Sequence, residues 1–431
     1  MGKGNKMAKR RTDGRRRERA VALGVFAAGE PGANARMDEL RGLVESAGAA
    51  VVGTVTQRSR GPGRRPGPGK LVEVGRTCSD LKADLLVTAH PLSPSDTRAI
   101  EEALPCRVVD RTSLILDIFA QRARSREGQL QVELAQDLYR LPRLTGVGAE
   151  LSRLGGGVGT RGPGEQKLEY DRRRIRERIS RLKREIEALR RRRADQRGSR
   201  HDREVPLVTM AGYTNAGKST LFNALCGAKA VARNQMFSTL DPLTRRVQLP
   251  GGGTALLSDT VGFITDMPSD LRVAFRATLE EITDSDLILH VVDASDPEAE
   301  ERMHTVVAEL ESMGPPGAPV LTVFNKADAL GERRGEVLLE AGANAPSAVV
   351  SALSGFGVDV LIATMGDCLR AGYWRRHSWP DPSPRLVAAA RGMGVPVTVR
   401  CDAEGNAVEM EAWVTQAQAA RLQPLAEVDE R

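Results

Sequence analysis

Short apolar runs alternate with helical stretches along residues 21–112. A helix is expected at 37–47, and another starts at Ser93, which suits an N-cap because Pro94 follows at the first helical position. The runs that predict buried strands are 21–27, 50–56, 85–88 and 107–109. Because strands and helices alternate, this segment predicts a small parallel α/β domain. The Arg-, Gly- and Pro-rich insert at 58–69 is expected to be an exposed loop.

Helical spacing takes over from Ser113 to about Leu141, and a second helical stripe follows residue 164. The apolar positions of the two stripes are Leu130, Leu134, Leu138 and Leu141, and Leu168, Ile175, Ile179, Leu182, Ile186 and Leu189. Each stripe needs a partner, so we expect an antiparallel hairpin, which we call the arm and place at residues 113–203. The linker 145–164 has almost no apolar side chain to offset the entropy of ordering it, and we expect it to be mobile until something binds it.

Beyond residue 203 the pattern returns to apolar strands that each end in a polar loop. Such strands are expected at 207–211, 254–258, 320–324 and 348–350. Residues 204–372 therefore predict a second α/β domain. The last segment, 373–431, predicts a small α/β domain with strands at 397–400 and 408–413, and a basic tail, residues 1–20, precedes the first strand.

Composition narrows the class of protein. At 431 residues the chain is too long for one core, while 41% hydrophobic and 28% charged residues indicate folded domains. The five cysteines lie far apart without a C-x-x-C pair, which supports neither a disulfide framework nor a zinc site. No apolar run approaches the roughly 18 residues that cross a bilayer. The basic start, followed by a strand–helix–strand pattern, does not fit a cleaved signal. We therefore expect a soluble cytoplasmic protein.

The net charge of +7 is concentrated in two segments. Residues 1–20 carry nine Lys or Arg against two Asp or Glu, and residues 161–203 carry seventeen against eight. The rest of the chain is acidic. A basic arm on an acidic body suggests a polyanionic partner, because each neutralised phosphate releases counterions. A solvated charge run stays the alternative for the tail.

A phosphate-binding loop follows the strand at 207–211. The sequence from Gly212 to Ser219 matches G-x-x-x-x-G-K-[ST] at each fixed position and stands between a strand and a helix, as this motif requires. Backbone N–H groups of such a loop wrap the β-phosphate, Lys218 reaches the β- and γ-oxygens, and the Ser219 hydroxyl ligates Mg²⁺. The residues expected to contact the nucleotide here are Gly212, Tyr213, Thr214, Asn215, Ala216, Gly217, Lys218 and Ser219.

The identity of the base is predicted from a second loop, about a hundred residues later. Asn325-Lys326-Ala327-Asp328 closes the strand at 320–324, and the Asp328 carboxylate can accept both the N1–H and the exocyclic amine of guanine, a pair that adenine lacks. Asn325 would steady the loop, and the Lys326 stem would cover the ring. After strand 348–350, Ser351-Ala352-Leu353 is the expected place for a backbone N–H to guanine O6. The sequence therefore favours GTP and GDP as the nucleotides.

Two further segments are expected to sense the γ-phosphate. In Asp259-Thr260-Val261-Gly262, the Asp259 carboxylate would hold the Mg²⁺ shell through water and the Gly262 N–H would meet the γ-phosphate. Upstream, Phe237-Ser238-Thr239-Leu240-Asp241 supplies Thr239 as a second hydroxyl ligand of Mg²⁺, with Ser238 as its competitor. The predicted Mg²⁺ ligands are thus Ser219 and Thr239, and the predicted catalytic residues are Lys218, Thr239 and Gly262.

The residue after Gly262 is Phe263, where many regulatory GTPases carry a Gln that orients the attacking water. A phenyl ring cannot do this, so unaided turnover should be slow, and a partner or a cation would supply the missing help. GTPases activated by K⁺ carry Asn at the position of Asn215, which makes Asn215 a candidate K⁺ ligand. That Asn215 only stabilises the loop stays an open alternative.

Together these residues resemble the HflX family of ribosome-binding GTPases over about residues 21–372. Beyond the nucleotide motifs, the segments that carry the resemblance are 67–70, 110–112, 116–123, 130–136, 155–165, 237–241 and 259–263. The sequence departs from the family pattern in the basic tail before Val21 and at Gln166-Lys167, Tyr170 and Leu243, none of which is an expected phosphate or base contact. The resemblance implies an α/β fold class: a P-loop GTPase domain, an N-terminal α/β domain carrying a long helical hairpin, and a small C-terminal α/β domain.

The resemblance also implies a function. It suggests a GTP-loaded factor that binds the large, 50S, ribosomal subunit near the peptidyl-transferase region of 23S rRNA and splits stalled 70S ribosomes. The loop residues then expected to contact RNA are Arg153, Gly155, Gly156, Gly157 and Arg161, since glycine permits close approach and arginine pairs with phosphate or stacks on bases. Such a factor would be a cytoplasmic, partly ribosome-associated monomer without membrane insertion.

Three alternatives stay open at this point. An assembly factor that checks the large subunit would carry the same residues. A nucleotide-dependent RNA remodelling protein, with ATP used by the N-terminal domain, would need helicase motifs and a second phosphate loop that the sequence lacks. A signalling GTPase with a protein effector would leave the basic arm without a purpose.

Overall fold

The computed structural model describes most of the chain. The described residues are 16–30, 32–59, 65–144, 163–197, 205–227, 236–237, 239–250, 253–265, 268, 271–273, 282–312, 317–331 and 346–427. The chain divides into two compact units, residues 1–118 and 119–431, with the boundary inside a helix, Arg111–Arg122. The unit boundary therefore lies within the helical stretch that was expected to begin the arm.

The first unit has the expected parallel α/β fold. Its elements are β1 (Arg19–Ala27), α1 (Ala33–Ser46), β2 (Ala50–Ser59), α2 (Pro68–Asp80), β3 (Leu85–Thr88), α3 (Pro94–Ala103), β4 (Arg107–Asp110) and the start of α4 (Arg111–Arg122). The four strands pair in parallel in the order β2-β1-β3-β4, and aliphatic side chains such as Leu23 and Leu86 fill the core. Ser93 caps α3 as expected, because its Oγ accepts the N–H of Asp96 at 3.1 Å.

The prediction that all of 58–69 is an exposed loop was wrong at both ends of the segment. Arg58 and Ser59 continue β2, where they pair with Phe26 and Ala27 of β1. At the other end, α2 already begins at Pro68, at a position where the missing proline N–H removes no helical hydrogen bond. The polar composition of the insert hid both extensions, since strand pairing and helix initiation here depend on the backbone and not on apolar side chains.

The helical stretch expected at 113–141 is broken into two helices. Helix α4 ends at Arg122, and α5 (Arg126–Arg140) begins after Ser125, whose Oγ accepts the N–H of Gly128 at 2.9 Å as an N-cap. The second arm helix, α6 (Pro163–Arg197), is 35 residues long and highly charged. In the described part of the chain, no helix is both long and apolar enough to cross a membrane.

Helices α5 and α6 pack antiparallel, as the two stripes predicted. Leu130 and Leu134 of α5 are buried, as are Leu182 and Ile186 of α6. Two ion pairs show the antiparallel register: Arg178 Nη2 lies 3.0 Å from Glu133 Oε2, and Arg126 Nη2 lies 3.2 Å from Glu185 Oε2. The glycine-rich linker at 145–162 lies outside the described residues, and so do residues 1–15 of the basic tail.

The second sheet carries the phosphate-loop motif. Its strands are β5 (Leu207–Gly212), β6 (Leu243–Gln248), β7 (Thr254–Asp259), β8 (Leu287–Asp293), β9 (Val320–Asn325) and β10 (Ser347–Val349). They lie in the order β10-β9-β8-β5-β7-β6, all parallel except the β6–β7 hairpin. Helices α7 (Lys218–Leu225), α8 (Ala299–Ser312) and α9 (Val358–Gly372) accompany this sheet. Because β5, β7 and β9 are parallel, the loops that follow them meet at one edge.

A small antiparallel sheet ends the chain. Its elements are β11 (Arg375–Pro380), α10 (Pro384–Gly392), β12 (Val397–Cys401), β13 (Ala407–Val414) and α11 (Gln416–Glu427), with the strand order β11-β13-β12. Strands β12 and β13 were expected, whereas β11 was missed because its sequence has no apolar run. The sheet docks beside the β6–β7 hairpin, where the Thr254 N–H donates to the Gly394 carbonyl at 2.9 Å.

Candidate nucleotide site

The phosphate-loop motif forms the turn between β5 and α7. A Cβ at Gly212 would collide with the carbonyl oxygen of Val291, and one at Gly217 would collide with Nδ2 of Asn325. Gly217 also has φ +90°, a left-handed conformation that side chains disfavour. Both positions therefore need glycine, and the loop backbone lies directly against the two neighbouring strands β8 and β9.

Lys218 is held at the centre of this loop. Its side chain is buried, and its Nζ donates to the carbonyl of Gly212 at 3.0 Å and to that of Tyr213 at 2.9 Å. Burial lowers the pKa of Lys218 to about 8, and the nearby Asp259 carboxylate opposes that shift. A desolvated ammonium of this kind can exchange its carbonyl partners for phosphate oxygens.

Two hydroxyls and one carboxylate meet beside Lys218. Ser219 Oγ and Thr239 Oγ1 each donate to Asp259 Oδ2 at 2.7 Å, and the two hydroxyl oxygens lie 2.8 Å apart. Burial raises the pKa of Asp259, while Lys218 and the two hydroxyls lower it. Asp259 Oδ1 is buried and has no hydrogen-bond partner within the described residues. This cluster of hard oxygen atoms could hold Mg²⁺, with the spare carboxylate oxygen reaching a metal-bound water.

The loop expected to read the base is tied to the phosphate loop. Asn325 Nδ2 donates to the Ala216 carbonyl at 2.9 Å, and Asn325 Oδ1 accepts the Ala352 N–H at 3.0 Å. Lys326 has φ +64°, and its Nζ lies 2.6 Å from Asp293 Oδ2. Asn325 thus links three loops at the edge of the sheet, and Asp328 follows it one 3₁₀ turn later.

Ser351 has a role here that the sequence did not reveal. Its Oγ donates to Asp328 Oδ1 at 2.5 Å and so orients the carboxylate that would read guanine. Its backbone N–H donates to the Phe356 carbonyl at 2.9 Å, while the Ala352 N–H is taken by Asn325. The backbone N–H groups of Ser351 and Ala352 are therefore engaged within the protein, and Leu353 is 81% exposed. Contact of these residues with the base stays a prediction.

The loop after β7 lies against the phosphate loop. The Thr214 N–H donates to the Phe263 carbonyl at 2.7 Å, and the Phe263 N–H donates back to the Gly212 carbonyl at 3.1 Å. A Cβ at Gly262 would stand 2.9 Å from Lys218 Nζ and 3.0 Å from the backbone Cα of Thr214, so this position needs glycine for close approach. Thr260 Oγ1 donates to the Met210 carbonyl at 2.7 Å, and Val261 is buried. The Phe263 ring is fully buried in an apolar cluster, where it cannot orient a water.

The segment 237–241 places one described side chain in the site and turns the others away. Thr239 joins the hydroxyl–carboxylate cluster, whereas Phe237 and Leu240 are buried among apolar side chains. The Asp241 carboxylate accepts hydrogen bonds from Arg124 and Ser125, at the start of α5. Ser238, the competitor of Thr239, lies outside the described residues, and so do the loop residues Arg153, Gly155, Gly156, Gly157 and Arg161.

Sequence reasoning missed two further residues beside the phosphate loop, His290 and Arg302. His290 of β8 is buried, and burial together with the charge of Lys218 lowers its pKa to about 4, so it is neutral at physiological pH. Tyr213 Oη lies 2.8 Å from Thr265 Oγ1, and the Arg302 guanidinium stacks over the Tyr213 ring at 4.9 Å. The only signal for His290 was a single histidine within the apolar run 287–293. The Asn215 side chain is exposed at φ +65°.

A phosphate loop, a hydroxyl–carboxylate cluster and an Asn-Lys-x-Asp loop, at the adjacent ends of parallel strands, define a P-loop GTPase. Sequence comparison shows which kind. The chain is 47% identical to GTPase HflX of Caldanaerobacter subterraneus, with 73% of this chain and 74% of that protein covered. It is 44% identical to GTPase HflX of Escherichia coli, with coverages of 68% and 70%. The chain therefore belongs to the HflX family, and it binds and hydrolyses GTP.

Three family profiles match successive parts of the chain. They are described as "GTP-binding GTPase N-terminal" at residues 34–120, "GTP-binding GTPase Middle Region" at 122–200 and "50S ribosome-binding GTPase" at 207–326. Among solved structures, SsGBP in its GDP complex is 24% identical with a TM-score of 0.49, over 81% of this chain and 98% of that one.

Proposed function

We propose that this GTPase binds the 50S ribosomal subunit and dissociates stalled or idle 70S ribosomes, and that GTP hydrolysis resets it. The observation that carries the proposal is the basic arm. Helix α6 exposes Arg173, Arg174, Lys183, Arg184 and Arg192 along its length, and its ion pairs with glutamates are solvent-exposed. Exposed pairs of that kind contribute little, so the surplus positive charge is available for RNA phosphates.

The family profile at residues 207–326 supports the same kind of partner, because proteins of that profile are described as binding the 50S subunit. The loop between the arm helices would enter the 23S rRNA near the peptidyl-transferase region, with Arg153, Gly155, Gly156, Gly157 and Arg161 in contact with RNA. Its many glycines would allow the backbone to approach the RNA closely. The factor would act as a monomer in the cytoplasm, partly bound to ribosomes.

Nucleotide binding would use the site described above. Lys218 would contact the β- and γ-phosphates, Ser219 and Thr239 would ligate Mg²⁺, and Asp259 would accept a hydrogen bond from metal-bound water. Mg²⁺ supplies charge neutralisation at the two phosphates. The Gly262 N–H would donate to the γ-phosphate, and Asp328, oriented by Ser351, would accept the N1–H and the amine of guanine. The remaining backbone of the loop would cradle the β-phosphate.

Hydrolysis by this site alone would be slow. Phe263 is buried where other GTPases orient the attacking water, so that help must come from the ribosome or from a cation. Asn215 is exposed at the loop and would be the K⁺ ligand in the second case. Slow unaided hydrolysis would keep the factor in its GTP state until it reaches a ribosome.

The direct test is sedimentation of purified 70S ribosomes with the protein and a non-hydrolysable GTP analogue. Release of 50S and 30S subunits supports splitting, and subunits should appear in proportion to the protein added. Lys218→Ala serves as the matched control, because it loses the phosphate contact and leaves the arm intact. Binding to free 50S without any release from 70S would contradict splitting and favour an assembly role.

A further inference from the structure

The Asp241 carboxylate caps a helix that belongs to the arm. Asp241 Oδ2 accepts the N–H of Arg124 at 2.7 Å and the N–H of Ser125 at 2.8 Å, and Ser125 Oγ donates to Asp241 Oδ1. Ser125 is the N-cap residue of α5. A helix N-terminus favours negative charge because its first N–H groups are unpaired within the helix. Asp241 therefore accepts from three donors, all on Arg124 and Ser125, the two residues immediately before α5.

This contact pairs a carboxylate with a glycine. Both carboxylate oxygens act as acceptors, which an amide side chain cannot reproduce. On the arm side, a Cβ at Gly128 would collide with Asp241 Oδ1, so Gly128 is the residue that lets the carboxylate approach. Ser125 Oγ also accepts the Gly128 N–H at 2.9 Å, which fixes the hydroxyl that donates to Asp241.

The segment 237–241 is also anchored at its other end, by Phe237. The Phe237 ring packs edge-to-face on Phe119 of α4, with 4.6 Å between ring centroids and 80° between planes. Phe237 is buried at φ +54°, a conformation that needs support from its surroundings. Thr239 lies between these two anchors and places its Oγ1 2.7 Å from Asp259 Oδ2. The position of the Thr239 hydroxyl therefore depends on contacts with α4 and α5.

We propose that Asp241 is a positioning residue that fastens the Thr239 segment to the N-terminus of α5 and thereby links the arm to the γ-phosphate end of the site. The inference rests on the proposed role of Thr239 as a Mg²⁺ ligand in the triphosphate state. Binding of GTP strengthens the contact between Asp241 and α5, and a partner that holds α5 in this position strengthens GTP binding by the same factor. GDP, which lacks the γ-phosphate, is not subject to this linkage.

The first test replaces the carboxylate by an amide. In Asp241→Asn, the amide oxygen can still accept the N–H groups of Arg124 and Ser125, but the negative charge is lost and an NH₂ group replaces the oxygen that accepts the Ser125 hydroxyl. We expect the affinity for a non-hydrolysable GTP analogue with Mg²⁺ to fall about tenfold, and the Mg²⁺ concentration for half-maximal turnover to rise. GDP affinity should change less than twofold. Asp367→Asn removes an exposed carboxylate from α9 and is the matched control, with no change in any of these values.

The second test reaches the same contact from the arm. Gly128→Ala introduces a methyl group against Asp241 Oδ1. Like Asp241→Asn, this variant should lose the preference for GTP over GDP. Alanine favours a helix more than glycine does, so the substitution does not lower the helix propensity of α5. Equal losses of GDP and GTP affinity in both variants would overturn the proposal, because they would indicate a general structural defect.

Thr239→Ala separates failure of this inference from failure of the proposed site. If Thr239→Ala keeps the full preference for the GTP analogue, Thr239 is not a triphosphate-specific ligand, and the proposed site is wrong at that residue. If Thr239→Ala loses the preference while Asp241→Asn and Gly128→Ala keep it, the proposed site stands and the positioning role of Asp241 is overturned. Loss in all three variants supports both.

Discussion

At the scale of single residues, the site is built from side chains that hold one another before a ligand arrives. Ser351 orients Asp328, Asn325 ties the base loop to Ala216, and Asp259 gathers the Ser219 and Thr239 hydroxyls. Pre-formed hydrogen bonds of this kind lower the entropy lost when a nucleotide binds. Because separate groups of residues lie at the base and at the phosphates, the change in nucleotide affinity caused by one substitution can be assigned to one of these two ends.

Asp328→Asn should move the preference from guanosine to xanthosine triphosphate. In the variant, Oδ1 can keep its hydrogen bond from Ser351, so the new amide NH₂ faces the base. An amide can donate to the carbonyl at position 2 of xanthine but cannot accept the guanine amine. Competition between the two triphosphates for a fluorescent nucleotide measures the change, which we expect to exceed about tenfold. Unchanged GTP affinity would show that Asp328 does not read the base.

GTP affinity should fall as the pH rises above 8. Before a phosphate binds, burial lowers the pKa of Lys218 to about 8, so the ammonium is charged at pH 7 and largely neutral at pH 9. Phosphate binds the charged form, and above pH 8 binding must take up a proton, at a loss of up to about tenfold per pH unit. Titration with a fluorescent GTP analogue from pH 7 to 9.5 checks this. Lys218→Arg should bind more weakly with a flat profile, and a flat profile in the parent would contradict the lowered pKa.

At the scale of elements, the sequence pattern predicted which helix faces pack together better than it predicted where helices and strands begin and end. The two stripes of the arm pack as expected, but one expected helix is two, because Ser125 caps a new helix after Arg122. Apolar periodicity continues across such a break, whereas the cap is made by a single hydroxyl. Likewise β11 has no apolar run, and it exists because β13 supplies a partner for its backbone groups.

Leu182→Ala should loosen the arm without affecting GDP binding. Leu182 is 1% exposed between α5 and α6, and loss of a fully buried leucine costs about 2–5 kcal/mol. Hydrogen exchange of peptides from α5 and α6 should report an opening free energy lower by that amount, while GDP affinity stays within about twofold. Val360→Ala, at a side chain that is 62% exposed on α9, is the control and should change stability by less than about 0.5 kcal/mol. Unaltered exchange in Leu182→Ala would mean that the stripes do not hold the arm together.

At the scale of the whole molecule, charge and chemistry are separated along the chain. The nucleotide site lies in the domain that carries the second sheet, and the largest basic surplus lies in the arm. Because the contact of Asp241 with Ser125 joins the two, a partner held by the arm is placed to influence the γ-phosphate end of the site. Sequence-independent attraction to RNA and the act of splitting ribosomes should therefore be separable by mutation.

Replacement of residues 155–162 by a serine-rich linker of equal length should abolish splitting. Nucleotide affinity should stay intact, since no phosphate or base motif lies there, and Pro163 remains to start α6. Binding to ribosomes should survive with its salt dependence, because the Lys and Arg residues of α6 remain. Arg161→Ala should show a weaker form of the same defect. Sedimentation measures the release of subunits. Release at the parental rate would show that the loop is only a linker.

The sequence by itself determined the features that depend on contiguous residues. The phosphate loop, the Asn-Lys-x-Asp loop and the apolar stripes of the arm are each set by local backbone requirements and side-chain chemistry, so spacing alone reveals them. The tertiary structure decided which side chains bond directly to one another: Ser351 to Asp328, and Asp241 to Ser125. Neither contact is encoded in a periodicity or a motif, because the sheet topology and the docking of α5 bring these residues together. The partner of the Asp241 carboxylate is therefore decided by the folded chain, because nothing in the sequence around Asp241 indicates that it contacts the start of an arm helix.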